Sequence, residues 1–177
     1  LARDPSLVVA RERLVALYGQ LGAWERAEAH YRGAREGGAD LPELEYAYGV
    51  LQGLQGRWEE AALAYRRAIA ANPWHARAHN NLGQVLERHR DFEAALAEYR
   101  LAASSEPTFR LARFNAGRAL IALGRADAAA AELLPIVEPR DADAPRYLFG
   151  LAVAEIRSGE KRQRAIDGAR ISGNSTC

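Results

Sequence analysis

The chain has 177 residues, of which 49% are hydrophobic and 27% charged, a composition typical of a folded globular domain. Its 24 basic and 23 acidic residues alternate along the sequence and leave a net charge of +1, which favours solvated helix faces over a basic stripe for nucleic acid. No apolar run approaches the ~18 residues that a membrane-spanning helix needs.

The single cysteine, Cys177, excludes an internal disulfide and a cysteine-based metal cluster. Its scarcity is consistent with a reducing compartment, so the cytoplasm is slightly favoured, although no targeting signal fixes the location. The chain begins at Leu1 and contains no methionine, so we expect a piece of a longer protein.

Taken in chain order, the helical patterns recur with a step of 34 residues. The step defines four units, at about 8–41, 42–75, 76–109 and 110–143. It is marked by equivalent residues in successive units, which are Ala27, Ala61, Ala95 and Ala129, then Gly22, Gly56, Arg90 and Gly124, then Gly49, Gly83 and Gly117, and also Tyr31, Tyr65, Tyr99 and Leu133.

Each unit reads as two antiparallel helices joined by a short turn. In the third unit, one apolar stripe ends near His89 and a second begins at Phe92, with spacings of three and four residues. Asp91 lies between them and is predicted to cap the second helix. Gly83 and Ala95 have almost no side chain, so they predict a point at which the two helices approach closely.

This pattern resembles the tetratricopeptide repeat family over residues 7–141. The family pattern of Leu-Gly, then Ala-x3-aromatic, then Pro is matched by Leu82-Gly83, Ala95, Tyr99 and Pro107. The second unit matches it with Gly49, Ala61, Tyr65 and Pro73. The resemblance implies an all-α, right-handed superhelical solenoid in which the first helix of each unit lines a concave groove. Such grooves bind an extended peptide or a partner helix, so we expect a protein-binding scaffold and not an enzyme.

A fifth element at 144–170 begins like another first helix but leaves the register, because Gly159 comes later than the period requires. We expect a divergent or capping repeat, with a polar second helix at 161–170. The small and polar residues 171–177 are predicted to be a disordered tail.

Projecting the first helices predicts which side chains face the groove. Asn81 and Asn115 occupy the same place in consecutive units, and an amide there can pair with a peptide backbone. This place resembles the asparagine ladder of the O-linked N-acetylglucosamine transferase repeats. Arginines nearby would favour an acidic or extended segment. The complete predicted groove is Tyr46, Arg77, Asn80, Asn81, Gln84, Arg88, Phe114, Asn115, Arg118 and Tyr147.

One specialised mode is disfavoured. Family members that bind chaperone tails hold the terminal carboxylate with a clamp of lysine, arginine and asparagine. The corresponding positions here hold Tyr46, Val50, Asn81, Leu111 and Asn115, of which only Asn81 matches.

Signals for catalysis, metal or cofactor binding are weak, and none is predicted. His75 and His79 are four residues apart, but the intervening residues fit no metalloprotease motif, so we interpret both as incidental surface histidines. Trp74 follows Pro73 in a turn, where it is expected to cover the junction between units or, alternatively, to form an exposed contact.

Two alternatives to a peptide-binding scaffold stay open. In the first, the array is a structural or regulatory appendage of a larger, possibly enzymatic, protein. The second is a variant of this hypothesis, in which a homodimer forms through the terminal repeat.

Overall fold

The computed structural model describes residues 5–36, 41–137 and 143–173, with side chains from Val9 to Gln163. These residues form helices and turns and contain no strand, which confirms the predicted all-α fold. The helices are α1 (Pro5–Gln20), α2 (Trp24–Glu36), α3 (Pro42–Leu54), α4 (Trp58–Ala71), α5 (Ala76–Arg88), α6 (Phe92–Ser105), α7 (Arg110–Ala122), α8 (Ala126–Leu133) and α9 (Ala144–Gly173), with a 3-10 turn at Leu134–Ile136.

The chain divides into two compact units, each longer than one 34-residue repeat. The first unit is Leu1–Pro107 and the second unit is Thr108–Cys177. In the first unit the helices pack as the pairs α1–α2, α3–α4 and α5–α6, with α1 against α3 and α4 against α5 between pairs. In the second unit α8 packs against both α7 and α9.

A left-handed residue ends the first helix of each pair. Gly22, Gly56 and Gly124 have φ angles of 70°, 75° and 72°, and Arg90 takes the equivalent place with φ 63°. The amide after each of them bonds back to the preceding helix, as when Asp91 N donates to the Leu86 carbonyl at 3.0 Å. The second helix then starts at once, and the predicted cap at Asp91 is confirmed by its 3.1 Å bond from Ala94 N.

In α3, α5 and α7, a glycine in the middle of the helix lies against a large side chain of the second helix of the pair. A Cβ atom added at Gly83 would be 2.7 Å from Tyr99 Cε1, and one at Gly49 would be 2.5 Å from Tyr65 Cε1. In the second unit a Cβ at Gly117 would be 2.6 Å from Leu133 Cγ. The close approach predicted for Gly83 is therefore made by the ring of Tyr99, while Ala95 is buried beside it.

The C-terminal element differs from the expected helix pair, because α9 is one helix of 30 residues that passes through Gly159. A glycine inside a helix costs about 1 kcal/mol relative to alanine, which a packed helix tolerates. The helix also includes residues 171–173, which were expected to be disordered, while Cys177 lies outside the described residues. In the described part of the chain, no helix is both long enough and apolar enough to cross a bilayer.

We predict that Arg90→Gly stabilises the chain by about 0.5–1 kcal/mol, because glycine adopts a left-handed φ without the steric cost that arginine carries. The measurement is the free energy of unfolding from chemical denaturation. His89→Gly is the matched control, because His89 has a right-handed φ of −79°, so glycine there adds freedom to the unfolded chain and removes an exposed 3.7 Å contact with Glu59. Equal or lower stability of the Arg90→Gly chain would contradict the prediction.

Candidate functional site

A pocket of about 290 Å³ opens between α1 and α3 of the first unit. The first helices of two successive pairs supply most of its lining, and α5 supplies one residue. The lining residues are Glu12, Val15, Ala16, Gly19, Gln20, Glu43, Tyr46, Ala47, Val50, Leu51, Leu54 and Arg77. Two of the predicted groove residues, Tyr46 and Arg77, are therefore brought together here.

Small residues on α1 create the space. Ala16 and Gly19 lie on one face of the helix, and a Cβ at Gly19 would be only 3.3 Å from Leu51 Cδ1. Val15 and Leu51 are fully buried and belong to the core that α1, α2 and α3 share. The pocket consequently has a rigid apolar floor.

Carboxylates lie at the rim of this pocket. Burial raises the pKa of Glu12, the nearby Glu43 carboxylate raises it further, and Arg13 partly opposes both effects. Glu43 Oε1 also lies 3.3 Å from Nε2 of the buried His75, a contact without hydrogen-bond geometry. Two carboxylates, one from α1 and one from α3, therefore line this pocket close enough to repel each other.

Tyr46 connects the pocket with α5. Burial raises the pKa of its phenol, and the charge of Arg77 and a hydrogen bond with Asn81 partly offset that effect. Asn81 is half-buried and donates to Tyr65 Oη at 3.4 Å. Asn81 also accepts a hydrogen bond from Asn80 Nδ2 at 3.2 Å, and Asn80 is itself buried.

The remaining predicted residues of the first unit, Gln84 and Arg88, are exposed. The guanidinium of Arg88 stacks over the Trp58 ring at 3.9 Å from its centroid. This stacking holds the Arg88 side chain on the surface formed by α4 and α5.

The second unit buries two of its four predicted groove residues. Asn115 and Tyr147 are each 2% exposed, whereas Arg118 is exposed and Phe114 is half-buried. The rings of Phe114 and Tyr147 are 5.3 Å apart, and Arg110 lies 4.6 Å from the Tyr147 ring. The structure thus brings Phe114 and Tyr147 together as a packing contact between α7 and α9.

The interpretation of two histidines as surface residues is wrong. His75 and His79 are 5% and 4% exposed. His75 Nδ1 accepts from Ala78 N and caps α5, while His79 lies 2.6 Å from Glu98 Oε2 and 3.0 Å from the Pro73 carbonyl. Both ring nitrogens of His79 therefore have partners, which offsets the cost of burying them, whereas the buried Nε2 of His75 makes no hydrogen bond to the described residues.

Trp74 is 70% exposed, so the expectation that it covers the junction between units is also wrong. Among the described residues, no group of three or more histidines, cysteines, aspartates or glutamates is arranged to hold a metal ion.

The sequence interpretation missed a buried ionic cluster in the first unit. Glu45 is fully buried, and its carboxylate contacts Arg67 at 2.7 Å, Arg35 at 3.1 Å and Tyr31 Oη at 3.1 Å. The cluster joins α2, α3 and α4. The sequence signal is weak, because Glu45 is one of many charges interleaved along the chain.

Residues 54–108 match the tetratricopeptide repeat family model. Among solved structures, PilF of Pseudomonas aeruginosa is similar with a TM-score of 0.76 at 21% identity, over 88% of this chain and 70% of that one. YrrB, a tetratricopeptide repeat protein with an unusual peptide-binding site, is similar with a TM-score of 0.72 at 22% identity, over 89% of this chain and 80% of that one.

A third similar structure is the TPR2B domain of yeast Sti1 in complex with pHsp70, with a TM-score of 0.61 at 22% identity. It covers 66% of this chain and 97% of that domain. No protein with a curated description is significantly similar to this chain in sequence.

We predict that Glu98→Gln destabilises the chain by about 1 kcal/mol at about pH 6 and by less at about pH 9. Burial lowers the pKa of His79, but the bonds to Glu98 and to the Pro73 carbonyl outweigh burial and raise it above 6.5. The stabilisation from the charged pair is therefore complete below pH 6.5 and is lost as the pH rises through the raised folded pKa.

The measurement is the free energy of unfolding of both chains across this pH range. Glu36→Gln is the control, because Glu36 is exposed at the end of α2. A loss that is independent of pH would contradict the assignment to His79.

Proposed function

Given the tetratricopeptide repeat fold of the chain and the family match of residues 54–108, we propose that the protein is an interaction scaffold that binds an extended peptide segment. The observation that carries the proposal is the pocket between α1 and α3, which has an apolar floor and a polar rim. A pocket of this kind fits one apolar anchor side chain of a peptide.

The surface that a peptide can reach in the first unit extends from this pocket over Tyr46 and Arg77 towards Gln84. Asn81 lies beside Tyr46 and is half-buried, so its amide is the candidate for contact with a peptide backbone. Asn80, Asn115 and Tyr147 are buried, so we assign them to packing between helices and not to ligand contact.

Terminal carboxylates are not the ligands that we propose. The chain lacks the basic clamp at the positions described above, and Arg88 is stacked on Trp58. The similarity to the Sti1 domain therefore supports peptide binding as a class, while the ligand must differ from that of a carboxylate clamp.

We predict that Ala16→Trp weakens peptide binding without unfolding the chain. Ala16 is exposed and lines the pocket, so an indole there fills the space that an anchor side chain needs. Burying one aliphatic side chain contributes about 1.5–3 kcal/mol, so the dissociation constant should rise at least about tenfold. The measurement uses peptides selected on the native chain from a random displayed library, followed by calorimetric titration.

Ala29→Trp is the matched control, since Ala29 is an exposed alanine on α2 that lies outside the pocket lining. Its affinity should equal that of the native chain. Peptides that bind the Ala16→Trp chain with native affinity would place the binding surface elsewhere. If no peptide is enriched on the native chain, the scaffold proposal fails.

A second candidate function is self-association through α9, which corresponds to the homodimer variant of the appendage hypothesis. The exposed apolar residues of α9 favour it. Phe149 and Ile156 are 72% and 62% exposed, and Leu148 is 41% exposed beside them. With Ala152 they form an apolar stripe on the side of α9 opposite to the buried Leu151 and Ala154. Such a stripe is typical of a contact surface.

We predict that the native chain shows a mass above 19.4 kDa at high concentration in light scattering, and that Phe149→Ser with Ile156→Ser restores 19.4 kDa. One helical stripe is smaller than the ~800 Å² per partner of a stable interface, so the dimer should be weak. Leu134→Ser, at an exposed leucine outside α9, is the control and should leave the mass unchanged. A constant native mass of 19.4 kDa at all concentrations would exclude this function.

A further inference from the structure

The lining of the pocket between α1 and α3 includes three charged residues, although the base of the pocket is apolar. Glu12 on α1 and Glu43 on α3 line it from opposite helices, and Arg77 on α5 is the one basic residue in the lining. One guanidinium therefore faces two carboxylates.

The two carboxylates disfavour each other. Burial and the charge of Glu43 together raise the pKa of Glu12, so keeping both groups ionised costs free energy in this structure. A cation placed between them would relieve this repulsion. Glu43 is 55% exposed in the first turn of α3, so its carboxylate is accessible to a cation that approaches the pocket.

Neighbouring groups cancel the negative charge only in part. Burial lowers the pKa of His75, so its imidazole is neutral at neutral pH although it lies 3.3 Å from Glu43. Arg13 lines a different apolar surface of α1, together with Val9 and Leu17. Arg77 supplies one positive charge against the two carboxylates of the lining, so one negative charge remains formally unbalanced there.

We propose that this pocket selects a peptide segment in which an aliphatic side chain is followed by lysine or arginine. The aliphatic group occupies the space above Val15 and Leu51, and the cation pairs with Glu12 and Glu43. This inference rests on the proposed function and adds the chemistry of its ligand, which is opposite to the acidic segment that the arginines of the sequence suggested.

Three synthetic peptides test the inference. They share one Ser-Gly context and differ at two central positions, which are Leu-Lys, Leu-Glu or Ala-Lys. Each is titrated into the isotope-labelled native chain, and dissociation constants are taken from amide shifts. We expect Leu-Lys to bind about fivefold more tightly than Leu-Glu at low salt, since each exposed pair contributes modestly. The preference should shrink as salt is added, whereas the about tenfold advantage of Leu-Lys over Ala-Lys should persist.

Two double variants identify the groups responsible. Glu12→Gln with Glu43→Gln should remove the preference for Leu-Lys while Leu-Glu binds at least as well as before. Glu36→Gln with Glu60→Gln changes the net charge equally at exposed sites outside the pocket and should retain the preference. Circular dichroism and thermal unfolding check that each variant is folded.

The outcomes separate the two proposals. Suppose that the Ala16→Trp chain binds peptides more weakly than the native chain, but the native chain binds Leu-Glu as tightly as Leu-Lys. Peptide binding in the pocket then stands, and the charge selectivity is overturned. A preference that survives Glu12→Gln with Glu43→Gln overturns it as well. If no peptide binds the native chain, or if Ala16→Trp binds all three like the native chain, the binding pocket itself is overturned.

Discussion

In the pairs α3–α4, α5–α6 and α7–α8, the contact between a glycine and a large side chain sets the distance between the two helices, and the rest of the fold depends on it. Gly83 meets the ring of Tyr99, Gly49 meets that of Tyr65, and Gly117 meets Leu133. A single added methyl group would overlap the partner side chain, so the backbone of the first helix lies directly on it. This contact fixes which face of each first helix turns away from its own pair.

The pocket forms on that outward face. The chemistry of the pocket is set by residues that take no part in packing between the two helices of a pair. Val15 and Leu51 continue the core to the base of the pocket, whereas Ala16 and Glu12 project from the same helix beyond the core. Since Glu12 and Ala16 lie outside the buried cluster that contains Val15, substitutions at these two positions leave the glycine contacts of α3, α5 and α7 unchanged. Repeat folds of this kind therefore keep their architecture while their ligands differ.

The sequence allowed the repeats to be predicted because their marks are local. A period of 34 residues, the glycines of the turns and the cap at Asp91 each depend on backbone conformation or on a neighbour a few residues away. The groove was harder to predict, because the side of a helix that faces solvent depends on how the next pair packs. Asn115 and Tyr147 have polar atoms that a sequence pattern assigns to the surface, yet the structure buries both.

The burial of polar residues whose partners are distant in the sequence could not be predicted for this chain. His79 can be buried because Glu98, 19 positions later, accepts a hydrogen bond from one ring nitrogen and the Pro73 carbonyl accepts one from the other. Glu45 is buried because Arg67 and Tyr31 come from two other helices. Neither partner can be paired from spacing alone, since many interleaved charges fit equally well. The Glu12 and Glu43 pair belongs to the same class, with the difference that Arg77, the one basic residue in the lining, offsets only one of the two charges. This imbalance is what distinguishes a ligand surface from a structural cluster.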